Sequence, residues 1–243
     1  MKILITLVLC TVVFWANSLP KLPQPDIKPE IDLKIEDKAS QQEAIRFLEN
    51  KINGKDYSSV LELGLLYEDG IIQDNGEKIP DLKKATEYYI MAFKKKDYRS
   101  VFKLVPMLLE KKEYLRTLQM LQEAIDNTNS MSMRVSAISI YSTLALDAFQ
   151  ANNDILVDAL INIKNLPKGQ VDQVPTLKFI MANLENLVGD KVQAELMLNE
   201  ACNDEKAPDE LKKICFNPDN FILVKDENVK SIEECTTCNL LKQ

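Results

Sequence analysis

Four cysteines near the C-terminal end are the residues with the most evident chemistry: Cys202, Cys215, Cys235 and Cys238. In an oxidising compartment, four cysteines predict two disulfides, for which three connectivities exist. One pair also has the C-x-x-C spacing of thiol–disulfide exchange, which works when the surroundings stabilise a thiolate. Glu233 and Glu234 precede that pair, and neighbouring carboxylates disfavour a thiolate. Structural disulfides are therefore favoured over redox chemistry and over a four-cysteine zinc site.

Two further patterns have the residue types of a reactive site, but each lacks something that the site requires. Ser100 and Lys103 fit the S-x-x-K form of penicillin-recognising enzymes, but no S-D-N or K-T-G segment accompanies them. Asp69 and Asp74 lie among glycines, but their spacing does not match an EF-hand calcium loop. The chain has no histidine, the usual base of triads and the commonest zinc ligand. We therefore predict no catalytic residue, no metal ion, no cofactor and no enzymatic activity.

The N-terminal segment, 1–18, is organised like a secretory signal peptide. Lys2 precedes an uncharged run over residues 3–15, which is shorter than the roughly 20 residues that span a bilayer. Small residues follow, and Ser18 is the predicted cleavage position. An uncleaved N-terminal anchor is the alternative. No later segment is apolar enough to cross a membrane, so the mature protein is expected to be exported, to the periplasm or the medium.

Composition narrows the class of partner. The 243 residues carry a net charge of −7 and include 46% hydrophobic residues, which suffices for one or at most two cores. An acidic chain without a basic stripe argues against nucleic acid and against anionic lipid as partners. The sequence divides into a signal peptide (1–18), an extended proline-rich tether (19–39), a helical repeat domain (40–216) and a cysteine-bearing tail (217–243). A strap lying on the helical body is the alternative for the tether.

The body is predicted to be all-α. Ser40 and Glu43 have the spacing of a capping box at the start of the first helix. Gly54 is expected to take the left-handed conformation that ends this helix. From there to Phe216, apolar residues recur at helical spacing in segments of about 12 to 18 residues, separated by short polar breaks. No alternating strand pattern competes with this spacing.

An internal repeat points to a particular all-α architecture. The segment over residues 55–60, Lys-Asp-Tyr-Ser-Ser-Val, recurs over residues 96–101 as Lys-Asp-Tyr-Arg-Ser-Val, with a single difference between the two copies. Each copy leads into an apolar helix. A period of about 40 residues with two helices per unit is typical of an α-solenoid, in which each unit buries its apolar face against its neighbours.

Residues 63–70 and 81–89 together resemble one Sel-like repeat, a relative of the tetratricopeptide repeat with a longer loop between its helices. Five residues carry the resemblance: Gly64, Tyr67, Gly70, Ala85 and Tyr88. The resemblance implies that Gly64 lets the second helix approach the first and that Gly70 ends the first helix. Ala85 and Tyr88 of the second helix are then expected to pack onto the first. The next unit is closer to a plain tetratricopeptide repeat, and degenerate units are expected over residues 135–166 and 175–202. The resemblance implies a right-handed α-solenoid of antiparallel helix pairs.

The cysteines add to this resemblance. Secreted cysteine-containing Sel-like proteins of bacteria have disulfides that join successive helices, which implies the pairs Cys202–Cys215 and Cys235–Cys238. Sel-like and tetratricopeptide proteins generally serve as adaptors. The expected function is therefore an exported scaffold whose concave face binds a protein partner in the cell envelope. The alternatives are a thiol–disulfide active envelope protein that uses Cys235 and Cys238, and an enzyme of an unrecognised kind.

Overall fold

A computed structural model of the chain describes residues 27–29, 35–167 and 169–215. Over these residues the chain forms ten helices: α1 Lys38–Asn53, α2 Ser58–Asp69, α3 Leu82–Lys94, α4 Ser100–Glu110, α5 Tyr114–Asn127, α6 Met131–Ala148, α7 Asn153–Lys164, α8 Pro175–Val188, α9 Lys191–Asn203 and α10 Asp209–Cys215. A two-stranded hairpin, β1 Ile71–Ile72 with β2 Lys78–Ile79, lies between α2 and α3. The predicted all-α class is confirmed apart from this short hairpin.

Contacts between Cα atoms divide the chain into two compact units, and the boundary falls between Arg134 and Val135 in α6. In the first unit α1 packs on α2, α2 on α3, α3 on α4 and α4 on α5. In the second unit α8 packs on both α7 and α9, and α9 packs on α10. Packing between helices that follow each other in the sequence is what stacked helix pairs require. The sequence predicted a single helical domain over residues 40–216.

The first helix begins earlier than predicted. Asp37 is its N-cap, and the Asp37 carboxylate accepts a hydrogen bond from the Ser40 amide at 2.7 Å. The Ser40 hydroxyl in turn accepts from the Asp37 amide at 3.0 Å. Ser40 is therefore the last residue of the capping box and not the first, so the predicted box of Ser40 with Glu43 is wrong. The residue that caps the helix is Asp37, whose charged carboxylate can accept hydrogen bonds from the first helical amides.

Three helix ends carry a lysine in the left-handed conformation, with φ values of 68°, 69° and 59° at Lys55, Lys96 and Lys112. The residue after each lysine donates its backbone N–H to the carbonyl five residues earlier, at 2.9 to 3.0 Å. This is the Schellman arrangement, which satisfies carbonyls at the end of a helix. Gly54 has φ −76°, so the prediction that it takes the left-handed position is wrong by one residue. Both copies of the repeated segment form this turn.

The hairpin is held by a side chain of α1. Gln41 is 2% exposed; its Nε2 donates to the Gly70 carbonyl and its Oε1 accepts from the Ile72 amide, both at 2.8 Å. One side-chain amide therefore satisfies two backbone groups at the hairpin edge, as a neighbouring strand would. Strands of two residues are too short to produce an alternating pattern, so hydrophobic spacing could not reveal them.

Candidate functional site

Close packing of α2 on α3 explains the glycine in the middle of α2. A Cβ atom added at Gly64 would lie 2.6 Å from Cδ1 of Tyr89, and Tyr89 is 0% exposed. The Tyr89 hydroxyl donates to Glu68 Oε2 at 2.5 Å, and Lys103 forms an ion pair with the same oxygen at 2.9 Å. Burial, followed by the hydrogen bond to Glu68, raises the pKa of Tyr89. Gly64 and Tyr89 therefore form a contact between the two helices. The close approach at Gly64 was predicted from the sequence, but Tyr89 was not named as its partner.

The remaining residues of the repeat pattern also make packing contacts. Tyr88 stacks on Tyr67 with ring centroids 5.5 Å apart and an interplanar angle of 9°. Lys84 donates from Nζ to the Tyr67 hydroxyl at 3.0 Å, and this hydrogen bond raises the Lys84 pKa. Ala85 is 0% exposed, and Gly70 ends α2 with φ 116°, a value that favours glycine. These residues shape the helix pair.

The S-x-x-K pattern does not form a nucleophilic site. Ser100 is 0% exposed and its hydroxyl donates to the Asp97 carbonyl at 2.6 Å. Lys103 is engaged by the Glu68 carboxylate. A serine that is buried and bonded to backbone does not meet a substrate, so Ser100 and Lys103 act as structural residues of α4.

The acidic residues near the hairpin are paired with lysines. Asp69 lies 2.6 Å from Lys78 Nζ, and Asp74 lies 2.6 Å from Lys38 Nζ. The hydrogen bond from Lys38 lowers the pKa of Asp74. No group of three or more cysteine, aspartate or glutamate side chains that could hold a metal ion occurs within the described residues.

A polar cleft of about 580 Å³ lies in the first unit, where the turn before α4 faces the loop between α5 and α6. Its lining residues come from these two segments and the first turn of α6: Lys96, Asp97, Tyr98, Arg99, Asn127, Thr128, Asn129, Ser130 and Met133. The turn is the second copy of the repeated segment, so the repeat itself builds one wall of the cleft.

Ion pairs position both cations of the polar cleft. Arg99 donates from Nε and Nη2 to the two carboxylate oxygens of Asp97, at 2.8 and 2.6 Å. Lys96 Nζ lies 2.9 Å from Glu123 Oε1, and this hydrogen bond raises the Lys96 pKa. Side chains held in this way lose less conformational entropy when a ligand binds. The turn side of the cleft is therefore preorganised and polar.

Hydrogen bonds from Arg134 hold the loop that forms the other side of the polar cleft. Arg134 donates from Nη2 to the Thr128 carbonyl at 2.6 Å and from Nε to the Ile125 carbonyl at 3.2 Å. The Thr128 hydroxyl accepts from the Ser130 amide at 3.2 Å. Asn129 between them is exposed, and its side-chain amide makes no hydrogen bond with another described residue. This amide offers one acceptor and two donors, which are the groups that a peptide backbone complements.

The one difference between the two repeat copies lies at the polar cleft. Arg99 occupies the position of Ser58 in the first copy. The Ser58 hydroxyl donates to the Asp56 carboxylate at 2.7 Å, just as Arg99 bonds Asp97. Serine and arginine thus make the same local hydrogen bond, but arginine adds a guanidinium at the cleft. Sequence reasoning noted this difference without assigning it a role, and it was the signal that could have located the cleft.

The disulfide between Cys202 and Cys215 that the resemblance implied is present in the second unit. Cys202 and Cys215 form a disulfide with their Cα atoms 5.6 Å apart. Cys202 lies near the end of α9 and Cys215 is the last residue of α10. Beside the disulfide, Leu211 of α10 is fully buried against Phe179 and Ala201. Cys235 and Cys238, the predicted cleavage position Ser18, the signal peptide and most of the tether lie outside the described residues.

Asp147, near the end of α6, is the carboxyl group with the most perturbed acidity in the second unit. Burial raises the pKa of Asp147 to about 7, and its carboxylate has no hydrogen bond or ion pair with another described residue. A group with this pKa is a candidate acid or base. The hydroxyl of Thr143, one turn earlier, is buried without a hydrogen-bond partner, so no nucleophile–base pair is assembled here.

Asp147 predicts an unusual pH dependence of stability. Its folded pKa lies above its unfolded value, so the folded state holds the extra proton between pH 4 and pH 7 and stability falls as the pH rises through that window. Asp147→Asn should stabilise the protein at pH 8 by about 2 kcal/mol, after allowance for partial exposure, and change little at pH 4. Urea unfolding at both pH values measures this, with the exposed Asp154→Asn as the control. Equal effects at the two pH values would contradict the burial of Asp147.

Within the described residues, no helix combines the length and the hydropathy needed to cross a membrane. No protein-family model matches the chain, no curated protein matches it, and no solved structure matches it. The described fold alone defines the class: a mostly helical protein with a disulfide between its last two described helices. Its function is inferred from its own residues.

Proposed function

We propose that this protein is an exported adaptor that binds a protein partner, with helix pairs of the Sel-like and tetratricopeptide type. The observation that carries the proposal is the polar cleft, whose two cations and loop are fixed by ion pairs and hydrogen bonds. The exposed Asn129 amide there suits a peptide segment. The repeated turn and the Gly64–Tyr89 contact support the repeat assignment. The predicted signal peptide and the disulfide support export.

Arg99 is the residue of the polar cleft whose replacement tests this function most cleanly. Arg99→Ser makes the second copy of the segment identical to the first, in which Ser58 already bonds the preceding aspartate. The variant should therefore fold normally and lose only the guanidinium. Arginines in preorganised sites are common hot spots, so partner affinity should fall about tenfold or more.

The measurement is the amount of partner that the immobilised mature protein retains from the extracytoplasmic fraction of its source, over a range of protein concentrations. Arg116→Ser is the matched control, because Arg116 forms an exposed ion pair with Glu113 and is outside the cleft. A partner retained by wild type and by Arg116→Ser, and released by Arg99→Ser, supports the proposal. Equal retention by both variants, or no protein retained by wild type, contradicts it.

A further inference from the structure

Helix α9 packs Leu198 against the core of the second unit but leaves two other large apolar residues exposed. Ala194 and Ala201 are 4% and 0% exposed, whereas Val192 is 70% and Leu196 is 56% exposed. Val192 and Leu196 are four residues apart in the sequence and therefore share one face of the helix. Single exposed apolar side chains are common, but a helix normally turns its larger ones toward the core. Val192 and Leu196 therefore form a small exposed apolar face on α9, and a further segment that packs on it would remove it from water.

The chain itself continues from the C-terminal end of this helix. The disulfide holds Cys215 beside Cys202, with their Cα atoms 5.6 Å apart. Leu211 of α10 packs against Ala201 of α9. The residues after Cys215 therefore start at the C-terminal end of α9. Leu196 precedes Cys202 by about two helical turns and Val192 by about three, which corresponds to about 9 and 15 Å along the helix axis.

The next apolar residues of the chain have the right spacing to reach the face. A run of large apolar residues occupies positions 221–224, and polar residues flank it on both sides: Phe221, Ile222, Leu223 and Val224. From Cys215 to Phe221 an extended chain spans about 20 Å. In an extended segment, Phe221 and Leu223 point to the same side about 7 Å apart, close to the spacing of Leu196 and Val192.

We propose that the Val192–Leu196 face of α9 is the docking site of the 221–224 segment of the same chain. The segment runs from the disulfide back along α9 and places Phe221 and Leu223 on Leu196 and Val192. The short connection from Cys215 keeps the segment at a high effective concentration near the helix, so a small apolar contact suffices to hold it. Docking covers the exposed apolar face of α9.

Photocrosslinking from the surface of α9 tests this proposal on the full oxidised chain. Leu196 is replaced by p-benzoylphenylalanine, which its exposed position accommodates, and the protein is irradiated, reduced and digested with trypsin. Trypsin places Leu196 and Cys202 in the peptide 192–206 and Cys215 with the apolar run in the peptide 214–225. Reduction separates these two peptides unless a photocrosslink joins them. We expect a crosslinked pair within a monomer, with fragmentation locating the bond between Phe221 and Val224.

Two controls make the outcome specific. The tail variant Phe221→Ser with Leu223→Ser should lower the crosslink yield about tenfold, because large apolar side chains supply the docking energy. The variant Val229→Ser with Ile232→Ser, in the same tail, should leave the yield unchanged. The photoreactive residue at Val157, which is 38% exposed on α7, should give no crosslink to the peptide 214–225. A covalent dimer, a bond to Ile214 alone, or a yield that the first tail variant does not change would each overturn the proposal.

Discussion

Gly64→Val is expected to lower the free energy of unfolding by about 3 kcal/mol or more. The new Cβ would overlap the Tyr89 ring, and that ring is fully buried between α2 and α3. The ring has little freedom to move, because its hydroxyl is hydrogen-bonded to Glu68. The added methyl groups must therefore push the two helices apart. Urea unfolding followed by far-ultraviolet circular dichroism gives the measurement.

A double-mutant cycle separates this overlap from the lower helix propensity of valine. Tyr89→Ala on its own should cost about 3 to 5 kcal/mol because it leaves a cavity. In that background the valine has room, so Gly64→Val should cost much less than in the wild type, giving a coupling of about 1 kcal/mol or more, within the range measured for residues in contact. A cost of Gly64→Val that is the same in both backgrounds would show that the ring contact is not its cause.

Hydrophobic spacing was sufficient to predict the helices, and less reliable for their ends. The amphipathic segments up to Phe216 were located from the sequence, because the helical apolar period extends over several turns. Ends depend on a single hydrogen bond or one backbone conformation. Lys55 takes the left-handed position although the neighbouring Gly54 has the better intrinsic preference. The Schellman hydrogen bonds at the turn outweigh that preference.

The lysine turns nevertheless have a sequence signal. Lys55, Lys96 and Lys112 are each followed by an acidic residue and a tyrosine. Sequence reasoning used the first two copies to define a repeat, but the third copy follows the second at a much shorter interval and was not found. It ends α4 and marks a turn inside a helix pair, whereas the first two mark turns between successive repeats. The shared lysine–acidic–tyrosine sequence therefore marks a type of turn. Only two of its three occurrences are separated by the period of the repeat.

Contacts between distant segments could not be predicted from one sequence. Lys96 and Asn129 line the same cleft, but no local pattern places the two segments side by side. Glu185 gives a second example, because it lies on α8 and is 3% exposed. It pairs with Lys164 at 2.7 Å and accepts from the Asp190 amide at 3.0 Å. A Cβ at Gly189 would overlap the Glu185 carboxylate, so this glycine makes room for a buried carboxylate as well as ending a helix.

Replacing Cys202 and Cys215 together by serine is the second change with a large expected effect. The disulfide closes a loop of about 14 residues, which corresponds to roughly 3 kcal/mol in the chain-entropy model. Helix α10 has 7 residues, too few to be stable alone, and Leu211 is its one fully buried apolar side chain. Without the disulfide, α10 should separate from α9 before the rest of the second unit unfolds.

Two measurements distinguish this local separation from general destabilisation. The melting temperature of the double serine variant should fall by several degrees, and amide exchange should accelerate most over Asp209–Cys215, with a smaller change in α8. The matched control is Cys235→Ser with Cys238→Ser, which removes the same number of sulfur atoms. The disulfide predicted for this pair would close only a short loop, so the effect of its removal should be much smaller. The polar cleft lies in the first unit, so the partner binding proposed for it should survive both double variants. A loss of binding in the Cys235 and Cys238 variant, together with rapid reduction and reoxidation of that pair by a dithiol, would instead place the function in the tail.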